Sequence, residues 1–192
     1  MQSINKTIIC LSLVILVTNS STAAEPPKNP IVENEVFTFR LIPRSPENIT
    51  SFYEGRGFPK TATDELEKAC FFGGIVRNKG KKVVWLELKN WRFYNDKGEI
   101  HRLDRTYWNQ RWKELDIPQS YRSTFNWTLL PKVRDLQPHE PVGGNIILPR
   151  SEGPFTLEVH FLTGKNKRDG DIAVTFKNIR CAKDKAPGDK TK

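Results

Sequence analysis

Three groups of side chains in this sequence could do chemistry by type and spacing: its histidines, its clustered carboxylates, and its arginines set among aromatic rings. The histidines are His101, His139 and His160. No two of them stand at the short spacing by which a helix or hairpin offers two ligands to one metal ion, so a metal site requires the fold to gather all three, and they rank as weak metal candidates. The alternation of its strand turns His160 outward. Asp64, Glu65 and Glu67 fall on one expected helix, Asp104 and Glu114 on another. Any two facing each other across a cleft would make the acid/base pair of a glycoside hydrolase, although no spacing ties a particular pair to that role. The chain has no G-x-S-x-G elbow, no H-E-x-x-H and no phosphate-binding glycine loop. No catalytic residue and no cofactor is assigned on this basis.

The arginine and aromatic residues interleave at Trp91 and Arg92 and again at Arg105, Trp108, Arg111 and Trp112. A guanidinium beside an aromatic plane binds sugars, quaternary amines or single-stranded nucleic acid, and these six residues form a candidate binding platform. The competing reading places the tryptophans in a core with the arginine stems lying over them.

The compartment narrows the choice. Residues 8–17 (IICLSLVILV) are an apolar run preceded by Lys6 and followed by small polar residues through Ala24. A membrane-spanning helix needs roughly 20 apolar residues, so residues 1–24 read as a cleaved export signal, Cys10 included. No other stretch approaches membrane length. The formal charge of +9 becomes +8 when Lys6 departs. Outside the cytoplasm that balance favours anionic envelope polymers or lipid head groups over nucleic acid, or it simply keeps the domain soluble.

Two cysteines then remain, Cys70 and Cys181. An even count in an exported domain predicts a disulfide between them, and neither has the CxxC or nearby histidine of a redox or metal site.

These residues must be positioned by a β-rich frame. The clearest stretch is residues 70–93, where apolar runs 70–76 and 83–88 flank a Lys/Gly-rich tip, the pattern of an antiparallel hairpin. Residues 36–42 alternate as a first strand with Phe37, Phe39 and Leu41 inward. Ser45 followed by Pro46 and Glu47 starts a helix that stops near Gly55 or Gly57, and Pro59 opens a second short one that leads to Cys70. Val84, Leu86 and Leu88 share one parity while Trp91 and Phe93 have the other, which demands an extra residue near Lys89 and Asn90. Residues 104–115 form the second helical insertion, capped by Asp104, with Trp108, Trp112 and Leu115 as its apolar stripe. Residues 125–130 (FNWTLL) alternate as a strand with Phe125, Trp127 and Leu129 inward. Residues 145–148, 155–162 and 172–176 supply the remaining strands. Asn48-Ile49-Thr50 and Asn126-Trp127-Thr128 match the N-glycosylation pattern, the second within an expected strand.

The frame is therefore mainly β, an antiparallel sandwich with two short helical insertions and one disulfide, similar in architecture to immunoglobulin-like exported domains. The expected organisation is a signal peptide over 1–24, an extended tether over 25–34, one sandwich domain over 35–181 and a disordered polar tail over 182–192. The function that follows is a periplasmic or secreted, non-catalytic binding or accessory protein of the cell envelope. Its partner would be an anionic envelope polymer or another envelope protein, with no nucleic acid and no transmembrane segment after signal cleavage. The alternatives are a periplasmic hydrolase using a carboxylate pair on an envelope glycan, and a His-based metal-binding protein.

Overall fold

The structure is a computed structural model that describes residues 29–184. The expected signal peptide, the first part of the tether and the end of the polar tail lie outside the described residues. Ten strands and four α-helices occur among them, in the order β1 (Ile31–Glu33), β2 (Phe37–Arg44), α1 (Pro46–Glu54), α2 (Lys60–Glu67), β3 (Ala69–Asn78), β4 (Val84–Glu87), β5 (Trp91–Asn95), β6 (Gly98–Ile100), α3 (Arg105–Glu114), α4 (Gln119–Thr128), β7 (Val133–Leu136), β8 (Pro141–Pro149), β9 (Phe155–Thr163) and β10 (Gly170–Ile179). All strand pairings are antiparallel, in two sheets. One runs β1-β2-β3-β8. In the other, β9 is flanked by β10 on one side and by β4 and β5 on the other, with β7 and β6 outside these. The expected two-sheet sandwich is present, and Ile31–Glu33, read from sequence as tether, pairs with β2.

The alternating residues do what their period dictates. Phe37, Phe39 and Leu41 from β2 and Phe155, Leu157, Val159 and Phe161 from β9 meet in the buried core between the sheets. Phe39 sits 5.0 Å from Phe176 and 5.1 Å from Trp91, ring centre to ring centre, so the two sheets interlock through aromatic contacts.

Residues 70–93 fold otherwise than the hairpin pattern predicts. β3 pairs with β2 and β8, while β4 lies in the opposite sheet against β7 and β9. Residues 79–83 therefore arch from one sheet to the other instead of folding one strand back on its neighbour. Asn78 explains why. Its side chain is wholly buried, donates to the carbonyls of Lys82 (2.8 Å) and Leu136 (2.9 Å) and accepts from the Gly80 N–H (2.9 Å). A polar residue at the end of an apolar run thus ties the arch to both sheets, adding to the bonds that the N–H groups of Lys79 and Gly80 make to the Val36 carbonyl.

The parity change after Leu88 is present and larger than one residue. From Trp85 to Trp91 the chain advances six positions while its β9 partners, Leu162 and Val159, are three apart. The surplus is a 3₁₀ turn over Leu88–Asn90, and it leaves Leu88, Trp91 and Phe93 all facing the core.

The four α-helices among the described residues form a layer of their own. Residues 125–130 are not a strand: Phe125 lies in α4, packed 5.2 Å from both Trp108 and Trp112, while Trp127 is 88% exposed. Tyr121 and Phe125 stand at i and i+4, and that spacing wins over the local alternation because the tryptophans of α3 offer burial on that side. The second core joins Tyr53, Leu66, Trp108, Trp112 and Phe125 to Phe71 and Ile147, the residues of β3 and β8 that point away from the sandwich. β3 is thus apolar on both faces because both are covered, Cys70 and Phe72 by the opposite sheet and Phe71 by helices.

Cys70 on β3 and Cys181 just after β10 form the expected disulfide, with their Cα atoms 5.4 Å apart. It ties one sheet to the other across a sequence separation of 111, for which loop entropy gives about 5 kcal/mol as a ceiling.

Candidate functional site

The six residues of the arginine and aromatic pattern fall in three places. Asp104 caps α3, accepting from the N–H groups of Thr106 (2.9 Å) and Tyr107 (3.1 Å), and this sets the helix so that Trp108 and Trp112 face inward. Their rings lie 4.8 Å apart and are 1% and 0% exposed, within the helical core. Trp91 belongs to the core between the sheets. The guanidinium of Arg105 donates to the Asn126 carbonyl (3.1 Å), Arg92 lies 3.6 Å from Glu99, and Arg111 bridges Glu65 (2.8 Å) and Glu114 (3.1 Å). The structure thus separates rings from cations.

Arg111 also settles the state of the nearest carboxylates. Its hydrogen bond to Glu65, helped by Lys68, brings the Glu65 carboxyl down to about 2, and Glu114 is lowered by Gln110 and Arg111. Both stay ionised at neutral pH, so neither stands ready to donate a proton to a leaving group. The charged Glu87 is similar. It is buried beside the 3₁₀ turn, where the ammonium of Lys167, which also lies 4.4 Å over the Trp85 ring, holds its carboxyl below the ordinary range.

The histidines stay apart. His160 is exposed, with Nδ1 2.7 Å from Asp171 Oδ2, and His139 occupies a left-handed position (φ 67°) in the turn before β8. Among the described residues no group of three or more His, Cys, Asp or Glu side chains could share a metal ion.

The feature that sequence reasoning missed lies beside the disulfide. A cleft of about 630 Å³ opens at that end of the sandwich, with Pro30, Pro43, Ile179 and Cys181 on its walls and Arg150, Arg180, Lys183 and Glu152 among its polar residues. Three cations face one carboxylate. Arg150 straps the cleft together, donating to the carbonyls of Ala69 (3.0 Å) and Ala182 (3.2 Å), and Arg180 donates to the Glu152 carbonyl (3.2 Å). Asp184 accepts from the Glu47 N–H (2.7 Å) at the start of α1, so residues 182–184, read from sequence as the start of a loose tail, are tied to the body. A volume of this size is in the range that holds a small molecule or the end of a chain. The one signal in the sequence was the position of Arg180 next to Cys181, because a disulfide fixes its neighbours against another element.

No family model matches this chain, and no curated protein matches it in sequence. Among solved structures it is similar to a chain from Bacillus subtilis subsp. subtilis str. 168 described as "a putative lipoprotein (ycdA)", with 11% identity and a TM-score of 0.40. The likeness covers 77% of this chain and 38% of that one, so this chain spans well under half the length of its neighbour. Similarity at this level names no family. No helix among the described residues is long and apolar enough to cross a membrane.

Proposed function

We propose that this chain is an exported, non-catalytic binding module of the cell envelope that holds an anionic envelope component in the cleft beside its disulfide. The observation that carries the reading is the cleft itself, where among the described residues Arg150, Arg180 and Lys183 are set against Glu152 over apolar walls. Arg150 is committed to two carbonyls and acts as scaffold, while Arg180, with one guanidinium nitrogen on the Glu152 carbonyl, and Lys183 would meet the ligand. An anionic head group would sit between these two cations, and Pro30, Pro43 and Ile179 would receive an apolar or sugar-ring portion. The non-catalytic part of the reading is supported by the ion pairs that tie Glu65 and Glu114 to Arg111.

The test is binding of the purified protein to heparin, used as a soluble polyanion, across a salt series. The double charge reversal Arg180→Glu with Lys183→Glu should weaken binding at least tenfold and flatten the salt dependence by about two counterions. The control is Lys81→Glu with Lys113→Glu, which carries the same charge change at exposed sites that do not line the cleft. If the control weakens binding as much as the cleft variant does, net charge alone explains retention and the cleft is not the site.

A further inference from the structure

We infer that the outer edge of β10 is an interface for a second copy of this chain. β10 pairs with β9 along one side, and among the described residues no strand lies along the other. From Gly170 to Phe176 the register with β9 is unbroken, and the only irregularity falls after Phe176. The edge carries no proline and no inward-facing charge, two devices that ordinarily keep such an edge from pairing. Its residues Ile172, Ala173, Val174, Thr175 and Phe176 are β-branched, small or aromatic, well suited to extending a sheet.

The strand is also complementary to itself. Two copies meeting edge to edge about a two-fold axis perpendicular to the sheet run antiparallel and keep their faces, so outward residues must oppose outward residues. That condition allows only registers that shift by two. The register centred on Val174 sets Asp171 against Lys177 of the second copy, and the symmetry repeats the pair at the other end. On the same face Ala173 opposes Thr175, and on the core face Ile172 opposes Phe176. Moving the register by two places in either direction removes both charge pairs, setting Asp171 against Thr175 or against Ile179. Asp171 lies on the outer face, where His160 on β9 takes its Oδ2 at 2.7 Å, which leaves Oδ1 for Lys177 of the second copy. The paired edge would join the two sheets into one continuous sheet, with main-chain hydrogen bonds for affinity and the charges for register.

Sedimentation velocity of the purified full chain over a concentration series tests this. The unaltered protein should form a dimer. Asp171→Lys and Lys177→Asp should each raise the dimer dissociation constant by about tenfold, because each replaces two attractive pairs by two repulsive ones. The double variant, which exchanges the two charges, should restore the dimer to within about threefold, and circular dichroism confirms that each variant is folded. A protein that stays monomeric at every concentration overturns the inference, as does a dimer whose dissociation constant ignores both single variants.

Discussion

Removing the Asn78 side chain should damage this fold more than its size implies. Asn78→Ala deletes three hydrogen bonds, two to the carbonyls of Lys82 and Leu136 and one from Gly80, at a position with no solvent exposure. A hydrogen bond contributes about 1 kcal/mol net, and a buried carbonyl left without its donor costs about 1–3 kcal/mol more. The loss should therefore be about 3–4 kcal/mol. For a domain of this size that lowers Tm by about 10 °C, and urea denaturation should show the midpoint falling with an unchanged slope. Asn78→Asp keeps the shape but removes both donors, so at neutral pH it should destabilise at least as much. The comparison is Asn95→Ala, which removes one exposed turn contact to the Lys97 N–H and should lose less than about 1 kcal/mol. If Asn78→Ala is no worse than Asn95→Ala, the crossing from β3 to β4 is held by something other than Asn78, and the explanation given for the arch is wrong.

Three further outcomes are expected. Trp112→Ala should lose about 3–5 kcal/mol in urea melts because the ring is wholly buried between Trp108 and Phe125, whereas Trp127→Ala, 88% exposed, should stay within about 0.5 kcal/mol. Equal losses for the two would return residues 125–130 to a strand. Gly144→Ala should lose more than about 2 kcal/mol, since a Cβ there would lie 2.4 Å from the Leu130 nitrogen, while Gly143→Ala meets nothing nearer than 3.6 Å and should be close to neutral; a harmless Gly144→Ala would contradict the close approach of Leu130 to β8. Glu65, held down to about 2 from an ordinary 4.5, stabilises the fold above its unfolded pKa and loses that contribution as pH falls from about 5 toward 2. Glu87, Glu114 and Glu140 are lowered as well and act in the same direction. Thermal melts between pH 6 and pH 2 should thus show a shallower decline in Glu65→Gln, and identical slopes in the two proteins would refute the role of Arg111.

The sequence by itself determined the strands whose side chains alternate cleanly, because a period of two with one face apolar has a single way to bury itself. Phe37, Phe39, Leu41 and the run from Phe155 to Phe161 needed no partner to be read. Composition and cysteine count determined the disulfide. Asp104 and Ser45 announced their helices, since a capping side chain acts on N–H groups two or three residues away. The change of parity before Trp91 was legible as well, though not that a 3₁₀ turn would absorb it.

Only the tertiary structure decided which strands are neighbours. The apolar runs at residues 70–76 and 83–88 look like a hairpin because pairing is invisible in a pattern of side chains, and the arch depends on Leu136, 58 residues from Asn78. Residues 125–130 fit a strand and a helix equally well at short range, and the buried tryptophans of α3 chose the helix. The cleft was hidden for the same reason. Pro30, Pro43, Arg150 and Arg180 are strangers in the chain, and they share a wall because the pairing of β1, β2 and β8 around β3 gathers the first three and the Cys70–Cys181 bridge brings the end of β10 to them.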